Sequence, residues 1–352
     1  MTLGLGTRSA LRSLHRIAGL LSSMLLIVIA GTGFLLLFRD QILHADYPQY
    51  FPESAVDFGP PSEWLDLAQD SAGHIVVDSI YAPYAAPFSV GVPIVVRHDH
   101  RQDLGATVVA IMPGGRTEII RLDQSLAVSL SFLHTTLFVQ RGEILAFATA
   151  ILALFGISAG LLAWWPGRAR ALRTLRTPTP TWRLKLRLAH LWVGVLCWPL
   201  IVAPLLTGLI YWTIIWSGPA SGAVAEPAAC EQPLPLDARI DIALSHAPGL
   251  EFAGIQGASG DSEVFLRPKD HADAWRGGST IMRVTECGEV RDDGANPQGL
   301  SDAAFPLLMP IHGGRIGGAP GQVLIGLASI GLLVLAFSGV WSYLSGLATR
   351  RR

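Results

Sequence analysis

The chain has 352 residues, half of them hydrophobic and only 15% charged, with a formal net charge of -1. So little charge on so much apolar side chain excludes an ordinary soluble domain. No nucleic-acid partner is expected.

In chain order, a short basic N-terminus (1–16) holding Arg8, Arg12 and Arg16 precedes a first apolar span, Ile17–Phe38. That span is longer than the apolar region of a signal peptide and no small-x-small cleavage site follows it, so it reads as an uncleaved anchor. Residues 39–129 then have a helical stretch at Glu63–Gln69 and strand-like runs at His74–Ser79, Phe88–Arg97 and Thr107–Ile120, the last folded at Pro113-Gly114-Gly115. A pre-helix and the second span, Ile144–Trp165, occupy 130–165, and a basic loop fills 166–187. The third span is Leu188–Trp212. Residues 213–305 repeat the earlier pattern, with a helix near Ala238–His246 and runs at Phe252–Gln256, Glu263–Arg267 and Thr280–Val290, turning at Cys287-Gly288. A second pre-helix and the fourth span, Val323–Leu344, lie in 306–344, before a basic tail at 345–352. Each span has at least 21 residues and no acid, enough helix to cross a hydrocarbon core about 30 Å thick.

Charge sets the expected orientation. All 27 acidic residues fall within Asp40–Glu143 and Glu226–Asp302, whereas the N-terminus, the loop Gly167–Arg187 and the C-terminus carry 13 basic residues and no acid. Short basic segments stay in the cytoplasm, so both termini and the 166–187 loop are expected inside and the two long loops outside. The arginines also suit anionic lipid headgroups. Trp164, Trp165, Trp212, Trp216 and Trp341 sit at span ends as interfacial anchors. Cys230 and Cys287 share the second outer loop, either as a disulfide or as two separate thiols.

The halves repeat. Leu14-His15-Arg16-Ile17-Ala18-Gly19 resembles Ala189-His190-Leu191-Trp192-Val193-Gly194, and each His is followed 17 residues later by Thr-Gly, at Thr32-Gly33 and Thr207-Gly208. Leu133-His134 similarly parallels Ile311-His312, and Gly142 to Gly160 is 18 residues, as is Gly321 to Gly339. The expected fold is therefore an integral membrane, mainly α protein. Its four transmembrane helices form two tandem parallel repeats about an axis along the membrane normal, each with a small α+β domain outside.

Such symmetry sets His15 against His190 near the inner face and His134 against His312 near the outer. Histidine in or beside a span needs a partner, and paired imidazoles across a helical bundle suit a haem iron, two haems in all. Gly19 and Gly194 near the inner pair, and Gly33 and Gly208 near the outer level, either leave room for the macrocycle or serve close helix packing. His44, after the first span, is a reserve ligand without a counterpart in the second half. His98-Asp99-His100 reads as a solvated loop more readily than a metal site. No phosphate loop, dinucleotide fingerprint or nucleophile elbow is present in a fitting context, so electrons would come from a quinol or another protein.

The set Leu14-His15-Arg16…Gly19, Thr32-Gly33, Phe38-Arg39-Asp40, Leu133-His134-x-x-Leu137 and His190…Thr207-Gly208 resembles the PepSY-associated transmembrane helix family. This family comprises iron-regulated bacterial inner-membrane proteins that include haem-containing ferric-siderophore reductases. The resemblance implies b-type haem, PepSY-like periplasmic domains, and an oxidoreductase passing electrons from a membrane or cytoplasmic donor to periplasmic ferric iron or ferric siderophore. A non-redox scaffold whose outer domains bind or restrain an envelope peptidase is the alternative. Transport is disfavoured, because the spans contain no carboxylate. Reporter fusions after residue 100 or 260 should read as periplasmic and one after residue 175 as cytoplasmic. A cytoplasmic signal at either of the first two would reverse the orientation.

Overall fold

The computed structural model describes residues 5–54, 56–70, 76–85, 90–98, 107–121, 124–165, 181–217, 232–257, 262–269, 280–291 and 307–350. In chain order its helices are α1 (Leu5–Leu36), α2 (Arg39–Asp46), α3 (Pro61–Asp70), α4 (Leu126–Thr136), α5 (Gly142–Trp164), α6 (Trp182–Ser217), α7 (Leu236–His246) and α8 (Gly318–Arg350). Its strands are β1 (Val76–Tyr81), β2 (Ile94–His98), β3 (Thr107–Ile111), β4 (Thr117–Ile120), β5 (Leu250–Gln256), β6 (Ser262–Pro268), β7 (Thr280–Val284) and β8 (Val290–Arg291). They form two compact units, one of Met1–Phe38, Ser129–Trp216 and Ile311–Arg352, the other of Arg39–Val128 and Ser217–Pro310.

In the first unit α1, α5, α6 and α8 are each long and apolar enough to cross a membrane. Three of them outrun the apolar stretches that marked them. α1 has 32 residues, about 48 Å of helix, because once nucleated a helix satisfies its backbone whether or not its side chains face lipid. His15 and His190 therefore lie inside continuous helices.

Burial in this unit is reversed from that of a soluble bundle. Ala18, Ala30, Ala153, Ala159, Ala328 and Ala336 are buried, while Met24 (75% exposed), Leu196 (69%) and Phe155 (59%) point outward. Lipid tails solvate large apolar side chains as well as a core does, so small residues occupy the helix contacts where backbones approach closely. A Cβ on Gly156 would stand 3.6 Å from the Gly19 nitrogen and 3.7 Å from the Ala18 Cβ, within ordinary contact. The buried hydroxyls of Ser22, Thr32, Thr207 and Ser338 each donate to the carbonyl four residues back.

The turn from α4 into α5 is tight. Leu137, Phe138 and Arg141 all have positive φ, 54°, 54° and 58°, and a Cβ on Gly142 would lie 1.6 Å from the Thr136 carbonyl oxygen. A Cβ on Gly321, in the first turn of α8, would likewise run into the Gly314 carbonyl.

The second unit corrects an expectation. Two α+β domains were anticipated, yet the strands of both long loops join in one antiparallel sheet of order β4-β3-β2-β1-β5-β6-β7-β8. The seam pairs Ser79 with Gln256, Ile80 with Ile255 and Tyr81 with Gly254. Each four-strand half would otherwise expose an unpaired edge, and pairing the two satisfies both rows of backbone groups. One hydrophobic core spans the seam, combining Trp64, Ala68, Ile80 and Val95 with Leu236, Ile240, Ala243, Ile255 and Val264. Asp237 ties the two helices on that face, accepting from the Ser62 backbone N–H at 3.1 Å and from the Ser62 hydroxyl. On the other face Tyr50 packs with Val90, Val92, Ile94, Val96, Val108 and Ala110. Within the sequence-predicted elements, Glu63–Gln69 and Ala238–His246 are helical and the Thr107–Ile120 run folds as β3 and β4. α2 was not anticipated. Cys287 is disulfide-bonded, and Cys230, one of the two cysteines of that loop, lies outside the described residues, as do Asp99 and His100.

At the seam a Cβ on Gly254 would lie 2.9 Å from the Ile80 carbonyl oxygen and the Tyr81 ring. Gly254→Val should therefore lower stability by about 1–3 kcal/mol through overpacking. Thermal unfolding of the full-length protein in detergent checks this, and an unchanged midpoint would mean the seam tolerates a side chain.

Candidate functional site

The four bundle histidines meet in two pairs. The rings of His15, on α1, and His190, on α6, are 5.9 Å apart at an interplanar angle of 73°. Those of His134, on α4, and His312, in a helical turn at residues 307–312, are 6.0 Å apart, also at 73°.

Each ring is fixed through its Nδ1. His15 donates to the Gly156 carbonyl at 2.7 Å, and His134 to the Ile29 carbonyl at 2.9 Å with the Thr32 hydroxyl oxygen at 3.2 Å. His190 donates to the Ser338 hydroxyl oxygen at 2.8 Å, and His312 to that of Thr207 at 3.2 Å. Both hydroxyls send their own protons to carbonyls one turn back, Val334 and Ala203, so each oxygen is left to accept. All four imidazoles thus carry the proton on Nδ1 and keep the Nε2 lone pair. Each of these hydrogen bonds engages Nδ1 and none of them an Nε2.

Glycines make the space. A Cβ on Gly160 would meet the His15 ring at 2.7 Å and one on Gly33 the His134 ring at 2.9 Å, with Gly339 3.6 Å from His190 and Gly208 3.4 Å from His312. Gly33 and Gly208, read in the sequence as room for a macrocycle or for helix packing, each stand beside an imidazole. Gly160 and Gly339 were visible only as a matched spacing. Gly19 and Gly194 line a cavity of about 430 Å³ beside the inner pair. A Cβ on Gly19 would meet nothing within 4 Å, and one on Gly194 only Leu335 at 3.5 Å. Thr32, Thr207 and Ser338 were not singled out as holding the rings, although the Thr-Gly repeats marked two of them. His44, in the second unit, is exposed at the end of α2 with its ring 4.8 Å from that of Phe51.

Two imidazoles binding one metal from opposite sides, each roughly 2 Å from nitrogen to metal, put their ring centres about 6 Å apart. Both pairs meet that spacing. Among the described residues no three His, Cys, Asp or Glu gather as a metal site, so a metal here would have to bring its remaining ligands with it. A tetrapyrrole does so, and the donor chemistry fits a bis-histidine haem.

The fold and this site define an integral membrane protein with four apolar helices and two pairs of facing histidines. The PepSY-associated TM region model matches residues 12–345, and the chain belongs to that family. Comparison with curated proteins gave no match.

Gly160→Ala should displace the His15 ring from Gly156 and destabilise the bundle by about 1–3 kcal/mol, whereas Gly19→Ala, with open space around the new methyl, should leave the melting temperature unchanged. Equal effects of the two would contradict this division of roles.

Proposed function

We propose that this protein is a haem-containing electron-transfer protein of the bacterial inner membrane that reduces periplasmic ferric iron, held by a siderophore. The observation that carries the reading is the pair of imidazole pairs, each at metal-sandwiching spacing with Nδ1 engaged and Nε2 available. A scaffold role gives no reason to pair four imidazoles in this arrangement.

His15 and His190 hold the inner haem b in this reading, and His134 and His312 the outer. Bound there, haem supplies reversible one-electron chemistry, its potential tuned by axial ligand and burial. The Nδ1–H bonds to Gly156, Ile29, Ser338 and Thr207 fix ring orientation and raise the basicity of Nε2. Eighteen residues of helix separate His15 from Gly33 and His190 from Gly208, so the two levels stand roughly 27 Å apart along α1 and α6. In this reading one level lies toward each membrane face. The outward direction is supported by the basic loop and termini, since short basic segments tend to stay in the cytoplasm and the acidic loops would then be periplasmic. A quinol or other donor gives the electron at the inner level, and the chelated ferric ion takes one electron at the outer. Ferrous ion is held far less tightly by such chelators, so reduction releases it without breaking the siderophore.

Purified protein should show a b-type haem spectrum that responds to dithionite. His15→Ala and His190→Ala should each remove the same haem, leaving roughly half the absorbance. Reduced wild-type protein mixed with ferric siderophores should reoxidise in step with ferrous iron appearing in a trap, and His134→Ala or His312→Ala should slow that step. A protein without haem would overturn the reading; one that stays reduced with every chelate yet passes electrons to a periplasmic protein would replace the iron role.

A further inference from the structure

The cavity beside His15 and His190 has one cationic end. Arg16 and Arg187 both line it, and the chain has no acidic residue in 1–39, 144–225 or 303–352 to balance them. Among the described residues neither arginine has an ion-pair partner. Arg187 is one turn before His190 on α6. Trp164 is one turn beyond Gly160, against which His15 lies, and its indole N–H is buried with no hydrogen-bond partner. Tyr343 lines the cavity one turn beyond Gly339, beside His190. The opposite end of the cavity is apolar, formed by Leu26, Ala153, Leu332 and Ala336.

A ligand matched to this lining is amphipathic in the same sense, a flat apolar body with anionic groups along one edge. Protohaem has that form, its two carboxylates projecting from one side of the macrocycle. Resting on the haem reading above, we propose that Arg16, Arg187 and the Trp164 indole N–H bind the carboxylates of the inner haem. They thereby fix which edge of it faces the basic end of the bundle. Guanidinium and indole donors placed together favour an oxyanion over water, and an unpaired buried N–H gains most when an acceptor arrives. The phosphate of an anionic lipid offers the same oxyanion chemistry, and the test separates the two sources.

Apoprotein in detergent, in a His312→Ala background so that the inner pair alone is read, is titrated with iron protoporphyrin IX and with its dimethyl ester, following the Soret band. His134→Ala supplies the same background should the first variant fold poorly. The free acid should bind roughly tenfold more tightly than the ester. Arg16→Gln and Arg187→Gln should each weaken the acid by about twofold to fivefold, the scale of exposed ion pairs, and leave ester affinity unchanged. Equal affinity for acid and ester would overturn the carboxylate assignment, give the arginines to lipid headgroups, and leave the haem reading standing. Arginine variants that weaken acid and ester alike would also overturn it, since the loss would then be structural. Failure to bind either compound would overturn the haem reading together with this one.

Discussion

The bundle depends on one reciprocal contact, made four times: an imidazole lies against a glycine of a neighbouring helix and its Nδ1–H is fixed by that same helix. His15 takes the glycine and the carbonyl of α5, His134 those of α1. His190 and His312 do the same with Gly339 and Ser338 of α8 and with Gly208 and Thr207 of α6. Without a hydrophobic force between helices in lipid, association rests on close packing and interhelical hydrogen bonds. These contacts supply both at the levels where the candidate ligands sit. The residues that hold the helices together are thus the residues that orient the candidate ligands.

This coupling also explains the distribution of small side chains. Space in the bundle has two uses, and they fall to different glycines. Gly33, Gly160, Gly208 and Gly339 admit a ring from the neighbouring helix, whereas Gly19 opens onto the cavity. A methyl has its largest consequence at Gly33 and Gly160, where it would press on an imidazole tied to a carbonyl, whereas the empty volume beside Gly19 can absorb added carbon.

Much of this was legible in the sequence, and the reasons are physical. Four acid-free apolar runs declare spans because hydrocarbon tolerates nothing else, and the paired histidines stood out because their distances to Thr-Gly recur. The glycines opposite the rings were not assigned, since spacing along one helix does not reveal what faces it from another. The fused sheet was hidden for a related reason. Alternating hydrophobicity within β1 and β5 fixes which face is buried but carries no record of which strand, more than 160 residues away, completes the edge. The extra length of α1 and α6 was missed because hydropathy marks where lipid begins, whereas a helix ends where its backbone loses partners.

The sheet order reads the same outward from its centre, β1-β2-β3-β4 on one side of the seam and β5-β6-β7-β8 on the other. A chain of half this length would present the β1 edge bare, and two copies joining there would build a homodimer with the same strand order. In such a dimer every ligand pair would consist of one residue and its own image, identical by necessity. Carrying both halves in one polypeptide removes that identity. His15 rests on a backbone carbonyl while His190 rests on a serine hydroxyl, and each can be altered by mutation without its counterpart following. One polypeptide carrying both sides of a site thus lets each side change without the other.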